Sequence, residues 1–492
     1  MSSDEIRADA TLPQGEEAEI PATPRGKLGW FDGFSMAMSI PNGIVTSLGF
    51  CIAAVGALPA MLFWSISSAL GFLQNFLYAE MALMFPTESG GIAVYANQAW
   101  RRHSSFVGPL ATFGYWVGWS LTLGVVGETL GGLIQSEWLP SATWSAHFGP
   151  LTVGLPQVIA VIAILISWLA NIMGIQVAAA INRVIAVAFI VFVAMVILAP
   201  FVAGGWHASN LGSHIGDHPF ITTMVWLYAA AWTVYGTEIS ATFAPEYRDV
   251  RRDSFRAMKY SAALVFAVYL ITPIAAAGVL GEDTIGTNPI TYTVLLVERA
   301  FGGWLTNILI VVVVAALLLS MIAASADGGR AVYGIAKQGL TLRQFEKLNR
   351  FGEPARALTV DMAVNIAVVL VVASPVAILL AANLGYMVCT IFAISGFLLL
   401  RRDRPEWPRP IKLRSAWKLV AWFVLIVDVL ITAVGATHPE EAGYGSVRNT
   451  VIALCVLALS MVFYVARRVG QDKLPLQWRT RELEDESPNA VA

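Results

Sequence analysis

Charged residues are scarce in this 492-residue sequence: Asp, Glu, Lys and Arg together make up 13%, against 57% hydrophobic residues. An average soluble domain has about 25% charged residues, so the composition excludes an ordinary soluble protein. Cysteine is rare as well. Cys51, Cys389 and Cys455 each stand alone in a separate apolar run, a spacing that predicts neither disulfides nor a metal-binding cluster. We therefore expect an all-α integral membrane protein.

Several functional signatures are also missing. There is no Gly-x-x-x-x-Gly-Lys-Ser/Thr motif to cradle nucleotide phosphates, so nothing predicts ATP-driven pumping. His207, His214 and His218 fall in one predicted outside loop, and the sequence places no nucleophile–base pair or set of metal ligands at membrane depth. We expect no catalytic residues, no metal, no cofactor and no nucleic-acid partner.

Apolar runs divide the chain into about twelve helices, of the roughly 20 residues that a bilayer-spanning helix needs. The runs lie near residues 29–56, 58–85, 106–136, 153–173, 175–203, 220–245, 255–280, 303–333, 357–373, 376–400, 415–436 and 447–468. With both termini in the cytosol, every Lys and Arg except Arg299 and Arg448 falls on a predicted cytosolic segment. This distribution obeys the positive-inside rule and favours an even number of helices in this orientation.

The ends of the chain differ from the middle in composition. The first segment is acidic and polar and lacks the basic-then-apolar order of a cleaved signal peptide, so we expect a disordered cytosolic tail. The last segment has the same character. The predicted divisions are a tail at 1–28, a core at 29–400 made of repeats 29–203 and 204–400, two additional helices at 401–470 and a tail at 471–492.

One run, Val225–Glu246, combines membrane-spanning length with Gly236 and the carboxylate Glu238 near its middle. An ionisable side chain at membrane depth is costly and marks functional sites. Glycine allows the helix to break there, and backbone groups freed by a break survive in lipid only where they line a cavity or bind a ligand. The run therefore predicts an intramembrane binding site.

The first run is predicted to be interrupted too, because Pro41 removes a backbone donor inside it and is followed by Asn42 and Gly43. Interruptions in helices one and six, five helices apart, are typical of a 5+5 inverted-repeat transporter whose substrate site lies where the breaks meet. Two ordinary kinks are the alternative, since Gly and Pro are common in membrane helices.

Three passages resemble amino acid–polyamine–organocation (APC) permeases, and the likeness covers roughly residues 28–470. They are YAEM with FP, SGG and Tyr at 78–95, WTVYGTE ending in APE at 232–246, and RAVY with AKQGL at 330–340. The resemblance implies a secondary transporter with interrupted helices one and six. Two departures stand out: Ala188 is the approximate match of a lysine used by some proton-coupled members, and Ala324 of an aromatic residue in arginine/agmatine antiporters.

A free amino acid brings an ammonium and a carboxylate, and both must find partners once desolvated. Half-helix N-termini offer N–H groups to anions, and interrupted helices leave carbonyls for cations. The resemblance points to the same positions. The candidate substrate-binding residues are Ser39, Asn42, Gly43, Ile44, Trp232, Tyr235 and Gly236.

The candidate coupling and gating residues are two carboxylates and a hydroxyl. Glu238 is expected to couple protons or to sense pH, and Glu128 is a second buried carboxylate without an assigned role. Ser325, with Ser320, can join helix-one carbonyls in a sodium site. The sequence leaves open whether the coupling ion is H⁺ or Na⁺.

No Lys or Arg is predicted at mid-membrane depth, so a substrate with a second carboxylate would find no fixed cation. We expect a neutral or cationic amino acid or a related amine, moved by alternating access across the cytoplasmic membrane. A polyamine permease of the same fold is the alternative, and a membrane enzyme or a channel is less favoured. The partners expected are the lipid bilayer and a small-molecule substrate, with the protein a monomer or a homodimer.

Overall fold

The computed structural model describes residues 29–37, 42–85, 91–173, 178–238 and 247–479, and helices dominate this part of the chain. The helices are α1 Trp30–Ala37, α2 Gly49–Val55, α3 Ala57–Met84, α4 Gly91–Trp100, α5 Val107–Ser120, α6 Thr122–Trp138, α7 Leu155–Ile172, α8 Ala178–Ala203, α9 Pro219–Val234, α10 Phe255–Leu280, α11 Glu282–Thr287, α12 Tyr292–Phe301, α13 Thr306–Lys337, α14 Ala355–Val372, α15 Pro375–Asp403, α16 Trp417–Thr437 and α17 Val447–Val465. A π-helical turn, Ile44–Leu48, precedes α2, and a 3₁₀ turn, Tyr235–Glu238, follows α9.

A two-stranded hairpin interrupts this helical pattern between α6 and α7. Strands β1 (Ser145–Phe148) and β2 (Leu151–Gly154) pair antiparallel, with Ser145 opposite Gly154. The second strand leads directly into α7, where the Gln157 side chain accepts a hydrogen bond from the Gly154 N–H at 3.0 Å. The hairpin thus fixes the N-terminus of α7.

Within the described residues, nine helical spans are long and apolar enough to cross a membrane. They coincide with nine of the twelve runs predicted from the sequence. The other three runs, 29–56, 175–203 and 220–245, are not among these spans, and each extends into residues outside the described ranges. A nearly all-helical multi-pass architecture is therefore confirmed, while the total of twelve helices and the relation between the repeats stay predictions.

The boundary between α14 and α15 follows from local backbone chemistry. The first helix ends at Val372, and Ala373 takes a left-handed conformation with φ of 47°. The Ser374 side chain then caps the next helix by accepting from the Ala377 N–H at 3.4 Å. Pro375 occupies the first helical position, where its missing N–H costs nothing.

Close backbone contact joins α5 to α15 in the interior. A Cβ placed on Gly114 would lie 2.5 Å from the Gly385 carbonyl oxygen, and one placed on Gly385 would lie 2.7 Å from the Gly114 carbonyl oxygen. Small residues allow membrane helices to approach in this way and to gain van der Waals contact. These two glycines therefore set the spacing between the helices that flank the site described below.

Replacing Gly385 with valine should lower the stability of the protein by about 1–3 kcal/mol, because added carbons in a filled interior force the backbone apart. The melting temperature of detergent-purified protein measures the effect. Gly334→Val is the matched control, since a Cβ there meets nothing within 4 Å. Equal melting temperatures for the two variants would contradict the prediction.

Candidate functional site

The predicted interruption near Gly236 lies within the described residues. Regular α-helix α9 ends at Val234, and the backbone continues as the 3₁₀ turn. Helix α3 supports this turn from one side: Asn75 Nδ2 donates to Thr237 Oγ1 at 2.8 Å, and the Tyr235 ring packs against Gly71. The change from α to 3₁₀ geometry therefore happens in a fully packed environment.

The first predicted interruption is described in part. The described part of α1 runs to Ala37, the description resumes at Asn42 just before the π turn Ile44–Leu48, and Ser39 and Pro41 lie outside the described residues. The Gly43 backbone is hydrogen-bonded to the Tyr269 hydroxyl. The Ile44 carbonyl accepts from the Tyr292 hydroxyl at 2.7 Å.

The segment that holds Gly43 lies against the last turn of α9. A Cβ placed on Gly43 would lie 3.0 Å from the Cβ of Thr233, in the last turn of α9. Helix α1 also contacts the 3₁₀ turn that follows α9. The structure therefore brings together Gly43 and the end of α9, and a substrate site between helices one and six stays a prediction.

Asn42 meets one of the two serines predicted for ion binding, Ser320. Asn42 is buried, and its Nδ2 donates to Ser320 Oγ of α13 at 2.5 Å. Ser320 in turn donates to the Ala316 carbonyl at 2.9 Å. The Asn42 Oδ1 atom has no hydrogen-bond partner among the described residues. Ser325 is buried further along the same helix.

The aromatic residues of the second segment are fixed by their polar atoms. Trp232 is half-buried, and its Nε1 donates to the Gly118 carbonyl of α5 at 3.1 Å. The Tyr235 hydroxyl donates to Asp428 of α16 at 2.9 Å, so this side chain points toward the peripheral helix. Tyr235 and Gly236 can therefore offer a ligand their backbone groups. The sequence also predicts a backbone carbonyl as the binding group of Tyr235.

The two candidate carboxylates occupy different places. Glu238 is fully buried at the end of the 3₁₀ turn, where its Oε1 accepts from the Tyr386 hydroxyl at 2.7 Å and its Oε2 has no partner among the described residues. Glu128 accepts from Gln157 Nε2 at 2.9 Å, between α6 and α7. Glu238 thus belongs to the site, whereas Glu128 is held against α7.

Sequence reasoning missed four residues that surround this junction: Tyr269, Tyr292, Tyr386 and Asp428. The tyrosines lie in apolar runs where nothing in the spacing distinguishes them from packing residues. Asp428 did carry a signal, since it is an ionisable residue at the middle of the run 415–436.

The nine apolar spans and the packed interruption define a multi-pass helical membrane protein. A family model described as amino acid permease matches residues 28–461, and the chain therefore belongs to the amino acid permease family. The APC resemblance seen in the sequence is thereby confirmed.

Curated relatives carry related names. The amino-acid permease RocE of Bacillus subtilis is 24% identical over 345 residues, covering 67% of this chain and 69% of that protein. A probable polyamine transporter of Arabidopsis thaliana is 24% identical over 380 residues, covering 76% of this chain and 72% of that protein. The uncharacterized amino acid permease YvbW of Bacillus subtilis is 22% identical over 334 residues, covering 64% and 71%. These names describe transport across membranes and not catalysis.

Proposed function

We propose that this protein is a secondary active transporter that moves a neutral or cationic amino acid, or a related amine, across the cytoplasmic membrane by alternating access. The observation that carries the proposal is the contact between Gly43 and Thr233, at the junction of two helical segments whose regular α geometry is interrupted. Backbone at such a junction binds ligands without bringing formal charges into the bilayer.

The binding chemistry follows from the groups at this junction. The N–H groups at Gly43 and Ile44, with the Asn42 amide, take the substrate carboxylate, and Tyr269 exchanges its hydrogen bond at Gly43 for one to the ligand. Backbone carbonyls near Ser39, Trp232 and Tyr235 take the ammonium, beside the Trp232 ring, whose face attracts cations. Gly236 keeps the backbone accessible at this point.

The charges at the site favour a neutral or cationic substrate. The described hydrogen bonds to the Ile44 carbonyl, to Thr237 and to Glu238 come from the neutral side chains of Tyr292, Asn75 and Tyr386. Glu238 is fully buried, and its Oε2 has no partner among the described residues. A second substrate carboxylate would meet this acid and neutral donors, so acidic amino acids are disfavoured. A substrate with an additional ammonium would find Glu238 available, and this observation supports the alternative of a polyamine or other organic amine.

The remaining features of the proposal concern topology and coupling. Both termini are placed in the cytosol, the core 29–400 is taken as two inverted repeats, and α16 and α17 are taken as additions to it. Glu238 is the candidate for proton coupling, and Ser325 and Ser320 are the candidates for sodium. Glu128 is kept as a residue that stabilises the contact between α6 and α7. The protein works as a monomer or as a homodimer.

Counterflow in proteoliposomes tests the proposal. Vesicles are loaded with unlabelled arginine, leucine or putrescine, and uptake of the same labelled compound is followed at equal pH and salt on both sides. A carrier should accumulate label transiently, because the outward gradient of unlabelled substrate drives exchange without any ion gradient, whereas a channel gives no overshoot. Glutamate should give none. Absence of overshoot with all three probes, or a robust one with glutamate, would contradict the proposal.

A further inference from the structure

Asp428 is a fully buried carboxylate on a helix that otherwise faces outward. Helix α16 has a narrow buried stripe, formed by Ala421, Val424, Asp428, Ile431, Thr432 and Gly435. Its other faces are exposed and apolar, with Leu419, Trp422 and Ile426 more than half accessible. A peripheral membrane helix needs no acid for such packing, and a carboxylate at this depth is costly.

The hydrogen bonds to Asp428 come from neutral groups. Its Oδ2 accepts from Gln74 Nε2 of α3 at 3.0 Å, and its Oδ1 accepts from the Tyr235 hydroxyl at 2.9 Å. Within the described part of the chain no Lys, Arg or His pairs with it. An amide and a hydroxyl can each donate or accept, so these partners can satisfy either a carboxylate or a carboxylic acid.

A second buried acid shows the contrast. Glu80 of α3 receives hydrogen bonds from Arg401 and from the Leu413 N–H, and Arg409 lies 3.3 Å away. These partners can only donate hydrogen bonds to Glu80. The partners of Asp428 can also accept one.

Other ionisable groups near Asp428 come from the elements packed around it. From α3, Tyr78 donates to Gln74 Oε1 at 3.4 Å, and from the 3₁₀ turn come Tyr235 and Glu238. From α15, Cys389 lies beside Tyr78, and from α9, Tyr228 donates to the Leu380 carbonyl at 2.9 Å. In the described residues, α17 brings no ionisable side chain into contact with Asp428. Asp428 is therefore the acid hydrogen-bonded to the start of the turn, and Glu238 is the acid at its end.

We propose that Asp428 is a proton-binding site that couples proton movement to the rearrangement of the 3₁₀ turn at the end of α9, through the Tyr235 hydroxyl. The inference rests on the proposed transport function and deepens it. A proton bound at Oδ2 turns that oxygen from acceptor to donor, and the Gln74 amide rotates to receive it. Tyr235 then faces a neutral acid in place of an anion, which weakens its hydrogen bond and frees the turn. By linkage, a rearrangement of the turn changes proton affinity by the same factor.

The experiment compares two driving forces in one preparation. Proteoliposomes with wild type or Asp428→Asn are assayed for counterflow at equal pH, and for net uptake driven by an inward proton gradient, using whichever of arginine, leucine and putrescine exchanges. A side-chain amide cannot carry the proton but keeps the hydrogen bonds, so the D428N protein should retain counterflow while losing the several-fold stimulation by the gradient. Asp428→Glu, which restores a titratable group, should recover part of the stimulation.

Asp361→Asn is the matched control. Asp361 is also fully buried, but it accepts from Trp116 Nε1 of α5 at 3.0 Å and does not bond to the 3₁₀ turn. D361N should keep gradient stimulation, and Tyr235→Phe, which removes the connecting hydroxyl, should reduce it. Full stimulation in D428N, equal loss in D361N, or loss of counterflow in both Asp428 variants would overturn the inference. If the wild type shows counterflow without any stimulation by the gradient, the inference about Asp428 is overturned and the proposed transport function stands. If the wild type shows no counterflow, the proposed function itself is contradicted.

Discussion

Replacing Gly43 with alanine should lower counterflow about tenfold while the protein still folds. The added methyl would overlap the Tyr269 hydroxyl oxygen and lie 3.0 Å from the Cβ of Thr233. Overpacking of a filled site costs about 1–3 kcal/mol, and about 1.4 kcal/mol is already a tenfold change in an equilibrium constant. Since the proposed ligands are backbone groups at this contact, the cost falls on substrate binding. The initial rate of label exchange in proteoliposomes measures it.

Two further variants make this prediction specific. Gly334→Ala adds a methyl where nothing lies within 4 Å, so its exchange rate should equal that of the wild type. Combining Gly43→Ala with Tyr269→Phe removes the oxygen that the methyl overlaps, and part of the exchange should return. A wild-type exchange rate in Gly43→Ala would show that this contact does not position the binding groups.

The features that the sequence predicted correctly are encoded locally. The spans follow from runs of apolar residues, and nine of them appear where predicted. The interruption near Gly236 follows from a glycine and a carboxylate within one apolar run, and α9 indeed gives way to a 3₁₀ turn there. Gly43 lies against Thr233 at the end of α9, and the matching interruptions from which such a contact was expected stay a prediction.

What the sequence could not reveal depends on contacts between distant residues. The hydrogen bond from Tyr235 to Asp428 joins positions 193 residues apart, and that from Tyr386 to Glu238 joins positions 148 apart. No local pattern distinguishes such a tyrosine from one that only packs. The β-hairpin after α6 was missed for another reason: each strand has only four residues, too short a run for its alternation of polar and apolar side chains to stand out.

The resemblance to permeases included Glu80 without assigning it a role, and the structure supplies a structural one. Glu80 is 1% exposed near the C-terminal end of α3, and it pairs with Arg401 of α15 and with Arg409 in the loop that leads to α16. The Leu413 N–H, in the same loop, donates to it at 2.9 Å. One carboxylate thus pairs with two buried guanidinium groups and attaches the loop to α3.

Replacing Glu80 with alanine should therefore destabilise the protein by about 3–5 kcal/mol, the usual cost of leaving buried charges without their partner. Arg401 and Arg409 are 9% and 3% exposed, so water cannot take over the lost interactions without opening the loop. The melting temperature of the purified protein and the protease sensitivity of residues 404–416 should both report this change. The control is Arg343→Ala, which breaks a pair whose arginine is 59% exposed and should cost less than about 1 kcal/mol. If the two variants melted at the same temperature, Glu80 would not be the residue that anchors this loop.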